Sequence, residues 1–398
     1  MTLPELFGPE MLADPYPVYR RLRESGPVVR APQVDAWVAT GYDAVSAALR
    51  HPDLSSDRYP RVRQRLSPKG LDHLATDRVR SLINQDAPDH TRLRALVGKA
   101  FTPKTVAALE GRVQGVVDEL LDAAPAGGMD AVESLAYPLP VIVIAEVLGV
   151  PAADRDRFKH WSDEVSVVFA GDLGLLGEAS VRRAAAAREE LVEYLAAAVA
   201  ERRRSPRNDL LTALIAAEEG GGRLSEDELY STLVLLMIAG NETTTNLIGN
   251  GLNALLRHPE QRDRVRADPA SIPRAVEEML RFDSPVQLTT RLAKRDVDLG
   301  GVTVPAGDWV YLVLGAANRD PAQFPDPDRF DVGRADTRHL SFGAGAHFCL
   351  GAPLARLEAL VAFRSLRVRY PGLRLDSPAT EYRDNFNLRG LKSLPVSY

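Results

Sequence analysis

Phe342-Gly343-Ala344-Gly345-Ala346-His347-Phe348-Cys349-Leu350-Gly351 is the stretch on which the reading of this chain turns. Cys349 is the only cysteine in 398 residues, and it stands between a glycine-rich turn and a helical pattern from Leu350 to Arg369. Pro353 falls in the first turn of that pattern, where its missing N–H costs little. A sulfur so placed meets unpaired backbone N–H groups and the positive end of a helix dipole, which favour thiolate over thiol. Gly343, Gly345 and Gly351 let a bulky group come close to the main chain. Without a second cysteine to pair with, such a thiolate suits the axial position on haem iron. The plainer alternative is a buried structural cysteine beside a turn. A cysteine nucleophile would need a base, and His347 is the neighbour in sequence.

About a hundred residues upstream, Ser225-Glu226-Asp227-Glu228 reads as a capping box. A helical pattern runs from it to about His258, roughly 50 Å long. Its middle, Leu233 to Ala239, is apolar on all sides yet too short to span a membrane, so it predicts a buried helix. Gly240-Asn241-Glu242-Thr243-Thr244-Thr245 follows directly. A carboxylate and hydroxyls inside a buried helix are costly unless partnered. Gly240 weakens the helix, and threonine hydroxyls can bond back to the preceding turn. These residues predict a local opening lined by Glu242 and Thr243, with a place for a small polar ligand and a proton route. The alternative is a break followed by a threonine-capped second helix, but periodicity resumes through Leu247, Ile248 and Leu252 without a proline.

Other segments supply charge and scaffold. In Asp89-His90-Thr91-Arg92-Leu93-Arg94, Asp89 reads as an N-cap, and His90 and Arg94 lie one turn apart on one helical face, a suitable clamp for carboxylates. Glu278 and Arg281 are three apart on another helix, close enough to pair. Pro285 to Arg291 reads as extended, and strand signals continue through Val297 to Val304 and Trp309 to Leu314. Near the front, Val28 to Arg30 and Ala36 to Ala39 read as a hairpin, followed by a helix from Tyr42 to Arg50. Val106 to Leu121, Val132 to Leu148, Asp154 to Phe169, Ser180 to Arg204 and Asp209 to Glu219 read as successive amphipathic helices. The segment from Asp57 to Arg80 is rich in arginine, and Ala170 to Gly177 reads as a partly apolar loop. A surface role for the arginines competes with a cavity mouth that favours an acidic substrate.

Phe-Gly-x-Gly-x-His-x-Cys-Leu-Gly resembles the haem-ligand signature of the cytochrome P450 family, the haem-thiolate monooxygenases. The other motifs match that family in its order: His-x3-Arg at His90 and Arg94, Ala-Gly-x-Glu-Thr-Thr from Ala239 and Gly240, Glu-x-x-Arg at Glu278 and Arg281, then a Pro-Asp meander from Asn318 to His339. Agreement across several levels weighs more than any single match. The resemblance implies a mainly α fold with small β-sheets, a long central helix over a haem and a Cys-ligand loop beneath it, in one domain spanning 1–398. It implies haem b (iron protoporphyrin IX) with Cys349 as metal ligand and His90, Arg94, Arg291 and His347 on the propionates. Ala239, Gly240, Phe342, Gly343 and Gly351 would lie against the cofactor. Thr243 would hydrogen-bond O2 and Glu242 would relay protons, the general-acid part of the chemistry. Val286, Leu288, Thr289, Leu388 and Leu391 would line the substrate side. Glu278, Arg281 and Arg329 would form a buried ion network that defines the fold.

The activity so implied is insertion of one oxygen atom from O2 into an apolar organic substrate, a natural-product, terpenoid, steroid or fatty-acid skeleton. No flavin or iron–sulfur sequence is present, so electrons from NAD(P)H would arrive through a separate ferredoxin and ferredoxin reductase. Arg94, Lys99, Lys104 and Arg356 could form the docking patch, or be scattered solvent-facing charge. Glu242 and Thr243 argue against obligatory peroxide use, while oxidative ring coupling stays open. A non-catalytic haem sensor is a further reading, although no output domain is recognisable.

Bulk composition sets the frame. Hydrophobic residues make up 45% and charged residues 26%, as in ordinary globular proteins, and the net charge of −5 gives no reason to expect nucleic acid as a partner. One cysteine excludes an internal disulfide. The first residues show no basic segment followed by an apolar run. The expectation is a cytoplasmic monomer without a membrane anchor.

Overall fold

Alternating apolar positions in short β-branched runs build the sheets. The structure, a computed structural model, describes residues 7, 8, 10–67, 81–99, 101–166, 177–207, 209–219, 224–377 and 381–398. Packing divides the chain into two units: Met1–Ser55 with Glu110–Leu139 and Thr243–Tyr398, and Ser56–Leu109 with Pro140–Glu242. The described strands are β1 Val28–Ala31, β2 Ala36–Ala39, β3 Leu54–Ser55, β4 Gly128–Asp130, β5 Thr289–Ala293, β6 Val297–Leu299, β7 Val302–Val304, β8 Trp309–Leu312, β9 Arg374–Leu375 and β10 Pro395–Ser397.

All of these strands belong to the first unit. β1 and β2 form the predicted hairpin, Val28 opposite Ala39. β2 then pairs in parallel with β8, and β8 pairs antiparallel with β5, giving a five-stranded sheet in the order β1-β2-β8-β5-β3. Successive side chains of a strand face opposite ways. Val310, Leu312 and Ala293 therefore join one core cluster, with Ala48 and Leu49 of the helix Tyr42–Arg50 and with Ala344 of the cysteine loop. Trp309, Tyr311 and Val313 join the other, with Val18, Tyr19 and Leu22 of the helix Tyr16–Glu24. Burying one leucine or valine side chain in such a cluster contributes about 1.5–3 kcal/mol. β4-β10-β9 and β6-β7 make smaller sheets.

The Glu-x-x-Arg pair lies on the helix Ile272–Phe282. Arg281 grips Glu278 with Nε to Oε2 at 2.7 Å and Nη2 to Oε1 at 2.8 Å, both side chains sealed from solvent. The third member is Arg334, whose Nε donates to Glu278 Oε2 at 3.1 Å. Arg329, expected in that role, is exposed and contributes only its carbonyl, which accepts from Arg281 Nη2 at 3.1 Å. The sequence Pro327-Asp328-Arg329-Phe330 turns the backbone toward Arg281 and sends the arginine side chain outward.

The second unit is helical. Val181, Ala184, Ala187, Leu191, Leu195 and Val199 form the buried stripe of the helix Glu178–Arg204. It packs on the helix Arg155–Ser166, where Trp161 Nε1 donates to Glu190 Oε2 at 3.0 Å. The long helix Glu226–Arg257 opens on the predicted capping box: Glu228 N–H donates to Ser225 Oγ at 3.2 Å and Ser225 N–H to Glu228 Oε2 at 2.7 Å. It runs as one helix through Gly240–Thr245, so the alternative of a break followed by a second, threonine-capped helix does not occur.

Other expectations shift. The pattern over Val106 to Leu121 divides into helices Pro103–Ala107 and Glu110–Asp122, with Thr102 Oγ1 capping the first at Thr105 N–H. Val132 to Leu148 divides at Pro138 into a π-turn, Val132–Ala136, and a helix, Pro138–Val147. Asp89 lies inside its helix, Asp89–Gly98, with Pro88 in the cap position. A helix, Tyr59–Leu66, occupies part of the arginine-rich segment; Lys69, Arg78, Arg80 and the loop leucines Leu173, Leu175 and Leu176 lie outside the described residues. No described helix is long and apolar enough to cross a membrane.

Candidate functional site

The cysteine loop is tied at its start to the Glu278 helix. Ser341 Oγ donates to Leu280 O at 2.6 Å, and Leu340 N–H donates to Asn318 Oδ1 at 2.7 Å. Gly343 and Gly345 then adopt φ of 68° and 69°, a region that favours glycine. A Cβ on Gly345 would come within 2.9 Å of Leu49 O, so the turn can seat against the end of the helix Tyr42–Arg50 only with glycine there. The chain returns through the short turn Gly345–His347, and Cys349 N–H donates to Phe342 O at 2.9 Å. Cys349 is half-buried, and the helix Ala352–Arg369 begins just beyond it with Gly351 as cap. The nearest approach to a Cβ on Gly351 would be the Cys349 Sγ at 4.0 Å. The sulfur thus stands at the head of an 18-residue helix, held by its own backbone and not sealed in a core.

Arg291 lies on β5 and is 3% exposed. Its Nη1 donates to Thr290 O at 2.8 Å and to Thr289 Oγ1 at 3.3 Å. Val286 and Leu388 face each other in an antiparallel bridge, as do Tyr382 and Leu391, which gives the C-terminal segment a hairpin-like course. Leu288 is not with them. It packs beside Tyr19 and Trp309 in the second core cluster, on the face of the sheet opposite Ala293. Since Arg291 and Ala293 are two apart, they share a face that Leu288 cannot reach. Leu388 and Leu391 are buried, Thr289 and His347 half-buried.

In the second unit, His90 is buried and Arg94 half-buried on one side of the helix Asp89–Gly98. The long helix carries an open stripe. Leu235, Leu236, Gly240 and Thr243 are half-buried and Ala239 is exposed, while Leu233, Val234, Met237, Ile238, Asn241 and Thr244 around them are buried. The spacing is that of one helical face. Glu242 is buried at the edge of that face, one residue and about 100° from Thr243. Asn241, on the far side, donates to Ser162 Oγ at 2.9 Å. The stripe therefore presents two leucines, then the small residues Ala239 and Gly240, then the Thr243 hydroxyl.

Sequence reasoning assigned no role to the carboxylates Glu277 and Glu358 or to the His339 ring. Glu277 receives Arg356 through Nε at 2.7 Å and Nη2 at 2.8 Å, and His339 through Nε2 at 3.1 Å. Burial alone would raise its carboxyl, yet the bonds from Arg356 and His339 hold it down at about 2. Arg356 is thereby committed to a carboxylate and is not a free docking cation. Glu358, on the helix after the cysteine, is buried, and burial pushes its carboxyl up to about 8. The signal for Glu277 was the doublet Glu277-Glu278, in which only the second acid fits the motif; Glu358 carried none.

The residues suit a haem-thiolate centre: one accessible thiol at a helix head, glycines that let a flat group approach, and basic side chains for its acidic edges. Among the described residues, no group of three or more His, Cys, Asp or Glu is arranged to hold another metal ion. Residues 15–370 match the family model of cytochrome P450. The chain belongs to the cytochrome P450 family. It is 44% identical over 400 residues to the cytochrome P450 monooxygenase PikC of Streptomyces venezuelae, covering 98% of this chain and 92% of that one. It is also 44% identical over 409 residues to the 6-deoxyerythronolide B hydroxylase of Saccharopolyspora erythraea, covering 99% and 98%. Among solved structures, ligand-free CYP164A2 of Mycobacterium smegmatis superposes with a TM-score of 0.90 at 43% identity, covering 99% and 98%. Mainly α with small sheets, the chain has the P450 fold and is a haem-dependent monooxygenase that uses O2.

Proposed function

We propose that this P450 inserts one oxygen atom from O2 into a bulky apolar natural-product skeleton, by hydroxylation or epoxidation. The observation that carries the reading is Cys349, half-buried at a glycine-built turn and backed by a helix N-terminus. Haem b, when bound, supplies the activation of O2. Cys349 would be its thiolate ligand, with Phe342, Gly343 and Gly351 beside it and Ala239 and Gly240 lying along it. His90, Arg94, Arg291 and His347 would meet its acidic side chains with charge-assisted hydrogen bonds.

Thr243 would present its hydroxyl as a hydrogen-bond donor in the open stripe, and Glu242 would hold and pass a proton to it from the buried side. Val286, Thr289, Leu388 and Leu391 would line the substrate side; Leu288 is left out because it packs in the core. The apolar lining supports an apolar substrate, and the name of the 6-deoxyerythronolide B hydroxylase supports a large one. Electrons would come from NAD(P)H through a ferredoxin reductase and a ferredoxin, with Lys99 and Lys104 as docking cations, since Arg94 is assigned to the haem. The family match spans segments of both units, which supports one P450 domain. A lone cysteine suits a monomer in the reducing cytoplasm.

The test is spectroscopic. The reduced protein with carbon monoxide should absorb at the long-wavelength position of thiolate ligation, and Cys349→Ala should abolish that band. A histidine-type spectrum, or purification without haem, rejects the reading. Thr243→Ala should keep haem and substrate binding while diverting reducing equivalents to peroxide; unchanged coupling removes Thr243 from proton delivery.

A further inference from the structure

Glu277 and Glu278 are consecutive, and a helix turns roughly 100° per residue, so their carboxylates leave in different directions. Glu278 goes to Arg281 and Arg334. Glu277 goes to Arg356, on the helix that follows Cys349, and to His339, which precedes the cysteine loop. His339 Nδ1 accepts the Ser341 N–H at 3.2 Å, which leaves the ring proton on Nε2, pointing at Glu277. The Arg356 guanidinium stands 4.5 Å from the centre of the Phe342 ring, within cation–π range, and the His339 ring lies 6.0 Å from the same ring. The carbonyl of Phe342 accepts the Cys349 N–H at 2.9 Å. One residue, Phe342, thus carries the charge cluster on its ring and the cysteine on its backbone.

We propose that Glu277, Arg356 and His339 are positioning residues for Cys349: they hold the Phe342 ring, through it the carbonyl that binds the Cys349 N–H, and they balance the charge felt by the sulfur. The inference rests on the haem-thiolate reading above. Groups around a metal ligand tune the metal through hydrogen bonds and local charge. Arg356 alone would set a full positive charge beside the loop and draw electron density from the sulfur. Glu277 cancels it. The side chains are 36% and 19% exposed, so water screens the pair only in part.

The experiment uses the haem-loaded full chain and a redox titration followed by absorbance. Glu277→Gln leaves Arg356 uncompensated and should raise the reduction potential. Arg356→Met leaves Glu277 uncompensated and should lower it. Each change should move the reduced-to-oxidised ratio at fixed potential by about tenfold. Loosening of the loop would move both variants the same way, so shifts of one sign, or none, overturn the proposal. If either variant fails to load haem, Glu277→Asp and Arg356→Lys carry the test. These keep both charges but break the fork, so the potential should stay near that of the parent while the carbon monoxide complex converts faster to its short-wavelength form; unchanged conversion overturns the proposal. A parent protein lacking the thiolate band would reject the functional reading instead.

Discussion

Arg334 Nε lies 3.1 Å from Glu278 Oε2, with the arginine side chain 9% exposed and the glutamate side chain fully enclosed. Arg334 also donates to Pro325 O at 2.7 Å, so it closes the meander as well as the ion network. Removing one charge from a buried network leaves the others under-compensated, at a cost of about 2–3 kcal/mol where, as here, Arg281 still holds Glu278. Arg334→Leu should therefore lower stability severely in chemical denaturation, whereas Arg329→Ala should change it by about 0.5 kcal/mol or less. Equal effects from the two substitutions would show that the third member of the network has been misassigned.

Glu358 gives the pH dependence a sign. Its Oε2 has no hydrogen-bond partner among the described residues, and burial lifts the carboxyl from 4.5 to about 8. Between those values the unfolded chain has released this proton and the folded chain retains it, so its contribution to stability falls as pH rises through that window. Glu358→Gln should leave the thermal midpoint near that of the parent at about pH 4 and raise it by several degrees at about pH 9. Thermal melts across the range test this; a pH-independent difference would contradict it.

Gly345 combines a φ of 69° with a Cβ position 2.9 Å from Leu49 O. Left-handed backbone alone costs an L-residue about 1–2 kcal/mol. Gly307, at φ 87° with nothing within 4 Å of its Cβ position, isolates that part. Gly345→Ala should destabilise more than Gly307→Ala and should also reduce haem retention, read as the haem-to-protein absorbance ratio. Equal losses would mean that the seat against Leu49 is not tight.

What could be read from the chain alone was whatever neighbours in sequence decide. Ser225 and Glu228 mark the start of the long helix because a capping box closes within three residues. The glycine-cysteine loop is equally local. Arg334 was missed because the network takes a side chain from one residue and a carbonyl from another, and only the folded meander says which residue gives which. Leu288 was misplaced because the choice of face depends on the pairing of β5 with β8. Thr289 opposite Leu312 fixes that register, and nothing near Leu288 announces it.

The stripe on the long helix has a consequence for redesign. Its central positions are Ala239 and Gly240, which together offer a single methyl group. A wall already stripped to its backbone can be thickened but not thinned. Apart from Ala239→Gly, which frees that one methyl group, substitution at Ala239 takes room away from this face. New room has to be found at the leucines, Leu235 and Leu236, or on other elements. With haem proposed to lie along positions 239 and 240, a library meant to admit larger compounds should leave them alone and begin at the leucines.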